Sequence, residues 1–295
     1  MSKKLIVILG PTATGKSAVA VKLAQKFEGE VISADSRQIY REMDIATGKV
    51  TKKEMEGIPH YLLDVASPKK RFTLVQYRKL ALKAIDKVFK KGKVPILCGG
   101  TGFYIQSIVD GILIPEVKPN WKLRSYLERL SPKDLLKILK GLDPKRAETI
   151  EKKNKRRLIR ALEIIFKLKA PVPSLKKNPL PYPVLMIGVT KDDLNERIEK
   201  RYYGWFKQGF IKEVKNLREM GLSWQRIEEF GLHYRQASQY LQNKITYQEM
   251  TDNSLKELRN YAKRQMTWFK RDERIHWIKK QPEAERLVKA FLKTN

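Results

Sequence analysis

The chain has 295 residues, 42% of them hydrophobic, enough for one large core or a core plus a smaller lobe. Lys and Arg number 62 against 32 Asp and Glu, and the resulting +30 biases partners towards polyanions, the bland alternative being a Lys-rich, heat-tolerant surface. One cysteine (Cys98) excludes an internal disulfide, and His60, His233 and His276 lack zinc-ligand spacing. No stretch approaches the ~18 apolar residues of a membrane span or reads as a signal peptide, so a soluble, cytoplasmic protein with no membrane partner is expected.

The first 112 residues alternate between strand and helix patterns. Leu5 to Leu9 reads as a buried strand and Ser17 to Phe27 as a helix with Val19, Leu23 and Phe27 at spacings of four. Glu30 to Ala34 and Tyr61 to Val65 read as strands, and Leu74 to Phe89 as an amphipathic helix with Tyr77, Leu80, Ala84 and Val88 on one face. Val94 to Cys98 is a further strand, and Gly102 to Val109 opens another helix. Strands separated by helices imply crossovers and a parallel sheet, an α/β class.

Pro115 and Pro119 then mark an exit from this core. Residues 121 to 169 carry helical patterns only. Ser131-Pro132 and Asp143-Pro144 read as cap and first-turn pairs, and Asn154 as the cap of a helix whose apolar face holds Leu158, Leu162, Ile165 and Phe166. A linker with Pro171, Pro173, Pro179, Pro181 and Pro183 follows, and Val184 to Val189 returns to a buried strand. The expected organisation is a core made of 1–112 and 184–295 with an all-helical insertion over 113–183. Beyond 190 the chain is mostly helical, with a capping box at Thr246 and Glu249 and a short last strand over Ile275 to Ile278.

The segment Gly10-Pro11-Thr12-Ala13-Thr14-Gly15-Lys16-Ser17 fits the phosphate-loop (P-loop, nucleotide-binding) pattern in full, between a strand and a helix as that pattern requires. Its backbone N–H groups and the helix N-terminus favour phosphate oxygens, Lys16 adds a charge, and the Ser17 hydroxyl can ligate magnesium. Ordinary ATPases also place a carboxylate at the end of a later strand. Here Val94 to Cys98 runs into Gly99-Gly100-Thr101, leaving Asp35 and Asp64 as the acidic strand ends. Asp35 follows one strand and Thr101 another, so both are expected in the crevice beside the phosphate loop. The plain alternative for each is a turn or helix cap. This departure from the ATPase pattern tilts the reading away from a motor or switch NTPase, with a P-loop kinase of a nucleotide or small metabolite and a non-catalytic RNA-binding NTPase as readings the loop also allows. A kinase does not need a charge of +30 or a basic helical insertion.

Taken with the stretch Ser33 to Lys49, Pro59 to Asp64, Gly99 to Tyr104, Arg160 to Glu163, Arg197 to Arg201 and Ala262 to Phe269, these segments resemble the tRNA dimethylallyltransferases, or isopentenyl-tRNA transferases. The resemblance runs over nearly the whole chain. It implies magnesium-dependent transfer of dimethylallyl from dimethylallyl diphosphate to N6 of adenosine 37 in the tRNA anticodon stem-loop, with the phosphate loop holding that diphosphate. It implies Asp35 as general base, Thr101 as a contact to the reacting groups and Arg197 on the diphosphate. Arg201 shares the helix face of Arg197 and is expected to join it, the alternative being two exposed arginines paired with Glu196 and Glu199.

Such a reaction requires the adenine to be flipped from the anticodon arm. Ser36, Arg37 and Gln38 are placed to bind its edge, and Arg124 with the run Arg156-Arg157-Leu158-Ile159-Arg160 to grip RNA phosphates. Tyr202, Trp205, Phe206 and Phe210, and Tyr261, Trp268, Phe269 and Trp277, are expected as core. Two departures from the family pattern stand out, Lys155 after Asn154 and His233 before Tyr234, where many members carry Gly. No protein partner is implied, and a monomer is expected.

Overall fold

A computed structural model describes residues 3–113, 115, 117–174 and 176–294. The chain divides into two compact units, residues 3–110 with 179–294, and residues 111–178.

In chain order, the first unit begins β1 (Leu5–Leu9), α1 (Lys16–Lys26), β2 (Gly29–Ser33), α2 (Lys52–Met55), β3 (His60–Tyr61), α3 (Leu74–Lys90), β4 (Val94–Gly99) and α4 (Gly102–Val109). The second unit runs β5 (Ile112–Leu113), α5 (Trp121–Leu127), α6 (Pro132–Leu142), α7 (Pro144–Thr149), α8 (Lys155–Leu168) and β6 (Lys176–Lys177). The first unit resumes with β7 (Val184–Val189), α9 (Leu194–Lys207), α10 (Phe210–Glu219), α11 (Trp224–Glu228), α12 (Leu232–Leu241), α13 (Tyr247–Phe269), β8 (Ile275–Ile278) and α14 (Gln281–Lys293).

Six strands form one sheet in the order β3-β2-β4-β1-β7-β8, every neighbouring pair parallel. Both faces are covered, which is why β1 is apolar throughout instead of alternating. Leu5, Val7 and Leu9 pack with residues of α3 and α4, while Ile6 and Ile8 pack with α1 and α14. The carboxyl ends of β1, β2 and β4 lie side by side, and the Ala34 N–H donates to the Cys98 carbonyl at 2.7 Å. Gly10 is required where β1 leaves the sheet, since a Cβ there would stand 2.4 Å from the Val189 carbonyl oxygen.

The expected strand Tyr61 to Val65 is only the two residues of β3. Leu62 and Asp64 have φ of 65° and 57°, a left-handed backbone that no strand accommodates. Asp64 is thereby turned to Lys49, which it shares with Asp44.

Helices α9 to α13 build a second apolar cluster of the first unit around Tyr202, Phe210, Phe230 and Tyr234, joined by Ile39, Tyr40 and Met43 from the segment after β2. Thr246 and Glu249 form the capping box of α13, their side chains accepting each other's backbone N–H at 3.2 and 2.7 Å.

The helical unit has its own core of Leu127, Leu135, Leu139, Leu158, Leu162 and Ile165. Ser131, Asp143 and Asn154 cap α6, α7 and α8 with their side chains. Phe166, expected on the core face of α8, lies in the last turn of that helix and is 47% exposed. The proline-rich return is not merely a linker, because β6 pairs antiparallel with β5 and the Asn178 N–H donates to the Gly111 carbonyl at 3.1 Å. The expected insertion, 113–183, also spans residues 114, 116 and 175, which lie outside the described residues. No helix among the described residues is long and apolar enough to cross a membrane.

Candidate active site

At the carboxyl edge of the sheet the first unit holds a cleft of about 1060 Å³. Thr12, Ala13, Gly15, Lys16 and Ser17 form one wall, Asp35 to Gln38 a second, Ala46 to Gly48 a third, and α9, α12 and α13 close it.

The loop wall owes its shape to internal hydrogen bonds. The buried Thr14 hydroxyl donates to the Pro11 carbonyl at 3.0 Å, and Lys16 Nζ reaches the same carbonyl at 3.2 Å. Desolvation lowers the Lys16 pKa, with Cys98 and Asp35 opposing that shift and Arg201 adding to it. A phosphate in the loop would give that ammonium an anion in place of a carbonyl oxygen. Burial pushes the neighbouring Cys98 thiol up to about 11, so it stays protonated. Gly10, Pro11 and Thr14 shape the loop without lining the cleft.

Asp35 fulfils both readings of an aspartate after a strand. Oδ1 accepts the N–H groups of Arg37 at 2.8 Å and Gln38 at 3.4 Å, an Asx turn, and the side chain also lines the cleft. Thr101 precedes α4 but makes no side-chain cap bond there. Its hydroxyl instead accepts the Ser36 N–H at 3.0 Å and faces Ser36 Oγ at 3.4 Å, so it ties the Asp35 turn to the end of β4 from outside the cleft. Ser36 and Arg37 line the cleft, the Arg37 guanidinium 5.8 Å from the centre of the Phe230 ring. Gln38 lines it too, but its amide is committed, Nε2 donating to the Gly48 carbonyl at 2.9 Å and Oε1 facing Ser33 Oγ.

Both arginines of α9 reach the phosphate loop. Arg197 Nε donates to the Ala13 carbonyl at 3.0 Å, and its Nη1 lies 3.3 Å from Asp193. Arg201 lies within 3.4 Å of both the Thr12 hydroxyl and the Gly48 carbonyl. Glu199, the alternative partner, is taken by Arg259 at 2.7 Å. Burial lowers the Arg201 pKa, Asp35 opposing it.

Several cleft residues escaped the sequence reading. Lys200 and Arg235 add positive charge, and Trp205 and Tyr261, expected only as core, turn an edge to the cleft. On α13, Glu257, Leu258, Tyr261, Arg264 and Gln265 recur at helical spacing along one cleft-facing stripe, a periodic signal that was available in the sequence. Gln265 ties the phosphate loop to the turn after β4. Its Oε1 accepts the Thr12 N–H at 2.9 Å, and its Nε2 donates to the Gly100 carbonyl at 2.7 Å.

Asp64 does not line the cleft, for the backbone reason given above. Asp35 and Ser17 lie there beside the phosphate loop as oxygen ligands for a divalent cation, while the other carboxylates lining the cleft, Glu54, Glu56 and Glu257, are engaged by Thr51, Lys22 and Gln236. Among the described residues no group of three or more His, Cys, Asp or Glu could hold a metal, so such an ion would draw further ligands from substrate phosphate oxygens.

The candidate RNA contacts of the helical unit divide. Leu158 and Ile159 are core residues, 0% and 3% exposed, so the expectation that they touch RNA is corrected. Arg124 and Arg160 are both bound to Glu163, which is 1% exposed and also accepts the Asn120 N–H, so neither is a free phosphate grip. Burial would raise the Glu163 pKa, but the bonds from Arg124 and Arg160 outweigh it and hold it below the usual value. Arg157 is exposed, with Glu151 at 3.3 Å, and Arg156 is exposed.

A family model described as IPP transferase matches residues 38–272. The tRNA dimethylallyltransferase of Acetivibrio thermocellus is 41% identical over 286 residues, covering 94% of this chain and 91% of that protein. That of Anoxybacillus flavithermus is 40% identical over 284 residues, covering 94% and 91%. The crystal structure of the full-length tRNA isopentenylpyrophosphate transferase from Bacillus halodurans superposes with a TM-score of 0.74 at 34% identity, covering 99% of this chain and 97% of that one. A eukaryotic dimethylallyltransferase acting on tRNA gives a TM-score of 0.73 at 28% identity, covering 90% and 70%. By the family match and these relatives together, the chain belongs to the IPP transferase family.

Proposed function

We propose that this chain transfers a dimethylallyl group from dimethylallyl diphosphate to N6 of adenosine 37 of tRNA, in the cytoplasm, giving N6-isopentenyladenosine. The observation that carries this reading is the convergence, in one cleft, of a phosphate loop, two arginines reaching that loop and a carboxylate on the facing turn.

Adenine's exocyclic amine is a weak nucleophile, its lone pair delocalised into the ring. As the allylic C–O bond breaks, the departing diphosphate gains negative charge. The loop amides, Lys16, Arg197 and Arg201 stabilise it, and a magnesium ion, if bound, would be held by the Ser17 hydroxyl and would supply further neutralising charge. The allylic C–O bond is broken and an N6–C bond is formed, and Asp35 accepts the proton the amine sheds. Ser36 and Arg37 hold the edge of the flipped base, and Thr101 keeps their turn in place. Exposed Arg156 and Arg157 meet RNA phosphates on the helical unit.

Incubation with labelled dimethylallyl diphosphate, magnesium and unmodified tRNA tests the reading. Label in the tRNA is expected, strongly reduced by Lys16→Ala. Phosphate release from ATP without label transfer would favour a rival, the P-loop kinase or the RNA-binding NTPase.

A further inference from the structure

Glu213, on α10, is 7% exposed and does not line the cleft, yet its carboxylate holds a wall of it. Oε2 accepts the N–H groups of Asp44 and Ile45, each at 2.7 Å. Oε1 accepts the Tyr234 hydroxyl at 2.6 Å and the Ala46 N–H at 3.5 Å. Three consecutive backbone N–H groups turned to one centre form the kind of nest that binds anions, and here the anion belongs to the chain itself. Burying a carboxylate among the aromatic rings around it is costly, and an apolar side chain would serve packing alone better.

What the nest fixes is the course of residues 44–48, which end at Gly48. The Gly48 carbonyl accepts both Gln38 Nε2 at 2.9 Å and Arg201 Nη2 at 3.3 Å. Gly48 has φ +58°, and a Cβ there would lie 1.5 Å from Arg201 Nη2, so the guanidinium rests on a bare backbone. Arg201 in turn reaches Thr12 of the phosphate loop. We propose that Glu213 is a positioning residue for the diphosphate end of the site: it sets the backbone of residues 44–48, whose Gly48 carbonyl aims Arg201 at the phosphate loop. This rests on the dimethylallyl transfer reading above.

Glu213→Gln keeps the size of the side chain but sets an amide NH₂ against donors. In the full chain with magnesium, the Kd for inorganic diphosphate and the KM for dimethylallyl diphosphate should both rise about tenfold, the scale of one charge-assisted hydrogen bond. The KM for tRNA should stay within about twofold, and kcat should fall by no more than the diphosphate affinity does, because Arg201 both holds the bound diphosphate and meets the charge that grows on it as it leaves. In an Arg201→Ala background the same substitution should add less than about twofold, since the route runs through Arg201. A fall in kcat with unchanged diphosphate affinity, or full additivity with Arg201→Ala, would overturn the proposal and leave Glu213 a structural residue. If Glu213→Gln does not fold, Gly48→Ala probes the other end of the link, and unchanged diphosphate affinity there overturns it equally. Absence of transfer by the wild-type chain would instead sink the functional reading.

Discussion

The Asp35 carboxylate has two oxygens in unlike settings, Oδ1 holding the turn to Arg37 and Gln38 while the side chain faces the cleft. Asn retains a carbonyl oxygen for the turn but cannot take a proton. Asp35→Asn should therefore fold and bind tRNA near normally, while its single-turnover transfer rate falls about 10²- to 10⁴-fold. A rate close to wild type would reduce Asp35 to a turn residue. His233 offers a pH test. It is 6% exposed among Trp205, Phe210 and Tyr234, and burial, with the charges of Arg37 and Arg201, lowers its pKa from 6.5 to about 3. Its folded pKa lies below its unfolded one, so its contribution to stability is full above pH 6.5 and is lost as pH falls towards 3. At pH 5 the unfolded chain gains about 2 kcal/mol from protonating it. His233→Phe should flatten the decline in Tm between pH 7 and pH 5, and parallel pH profiles would refute this.

At the scale of elements, α8 and α9 put similar arginine runs to different uses. Helix α9 directs Arg197 and Arg201 to the phosphate loop, whereas α8 turns Arg160 to the buried Glu163 and leaves Arg156 and Arg157 exposed. Substituting Arg156 and Arg157 together by Ala should weaken tRNA binding and lower the slope of log affinity on log salt by about 0.7 to 0.9 per lost contact. An unchanged slope would make them a solvated face. Arg160→Ala should act differently, costing about 1–3 kcal/mol of stability by stripping one partner from a buried carboxylate. That effect should be seen above about pH 4.5 and vanish in more acid solution. The folded pKa of Glu163 lies below the ordinary 4.5, so its ion pairs stabilise only while it is ionised.

For the molecule as a whole, +30 of net charge makes association with RNA a counterion-release problem. If about six or more phosphates are contacted, tRNA affinity should drop by about 10³-fold or more between about 50 and 200 mM salt. Inorganic diphosphate, held by a few groups in a partly enclosed cleft, should lose far less. Equal losses for both ligands, measured by titration at each salt concentration, would show that the charge is spread over the surface without forming an RNA footprint.

The sequence alone determined the parallel α/β core, the phosphate loop and, to within about a residue, the bounds of β1, β2, β4, β7, β8, α1, α3 and α4. Unbroken apolar runs such as Leu5–Leu9 and Val184–Val189 fit only a doubly covered sheet, and caps such as Ser131, Asp143 and Thr246 act within a few residues of themselves. The place of Asp35 at a strand end was legible for the same reason, as a local pattern, whereas the spacing of Arg197 and Arg201 along one helix face left open two exposed arginines, and the family resemblance pointed Arg197 to the diphosphate. What only the tertiary structure decided depends on distant partners. Leu62 and Asp64 leave the strand because their backbone turns left-handed, and Arg124 and Arg160 leave the set of RNA grips because a buried Glu163 lies between them. Thr101, Gln265 and Glu213 gain their places through hydrogen bonds spanning 65 to 253 residues of chain, a separation over which no local pattern reports.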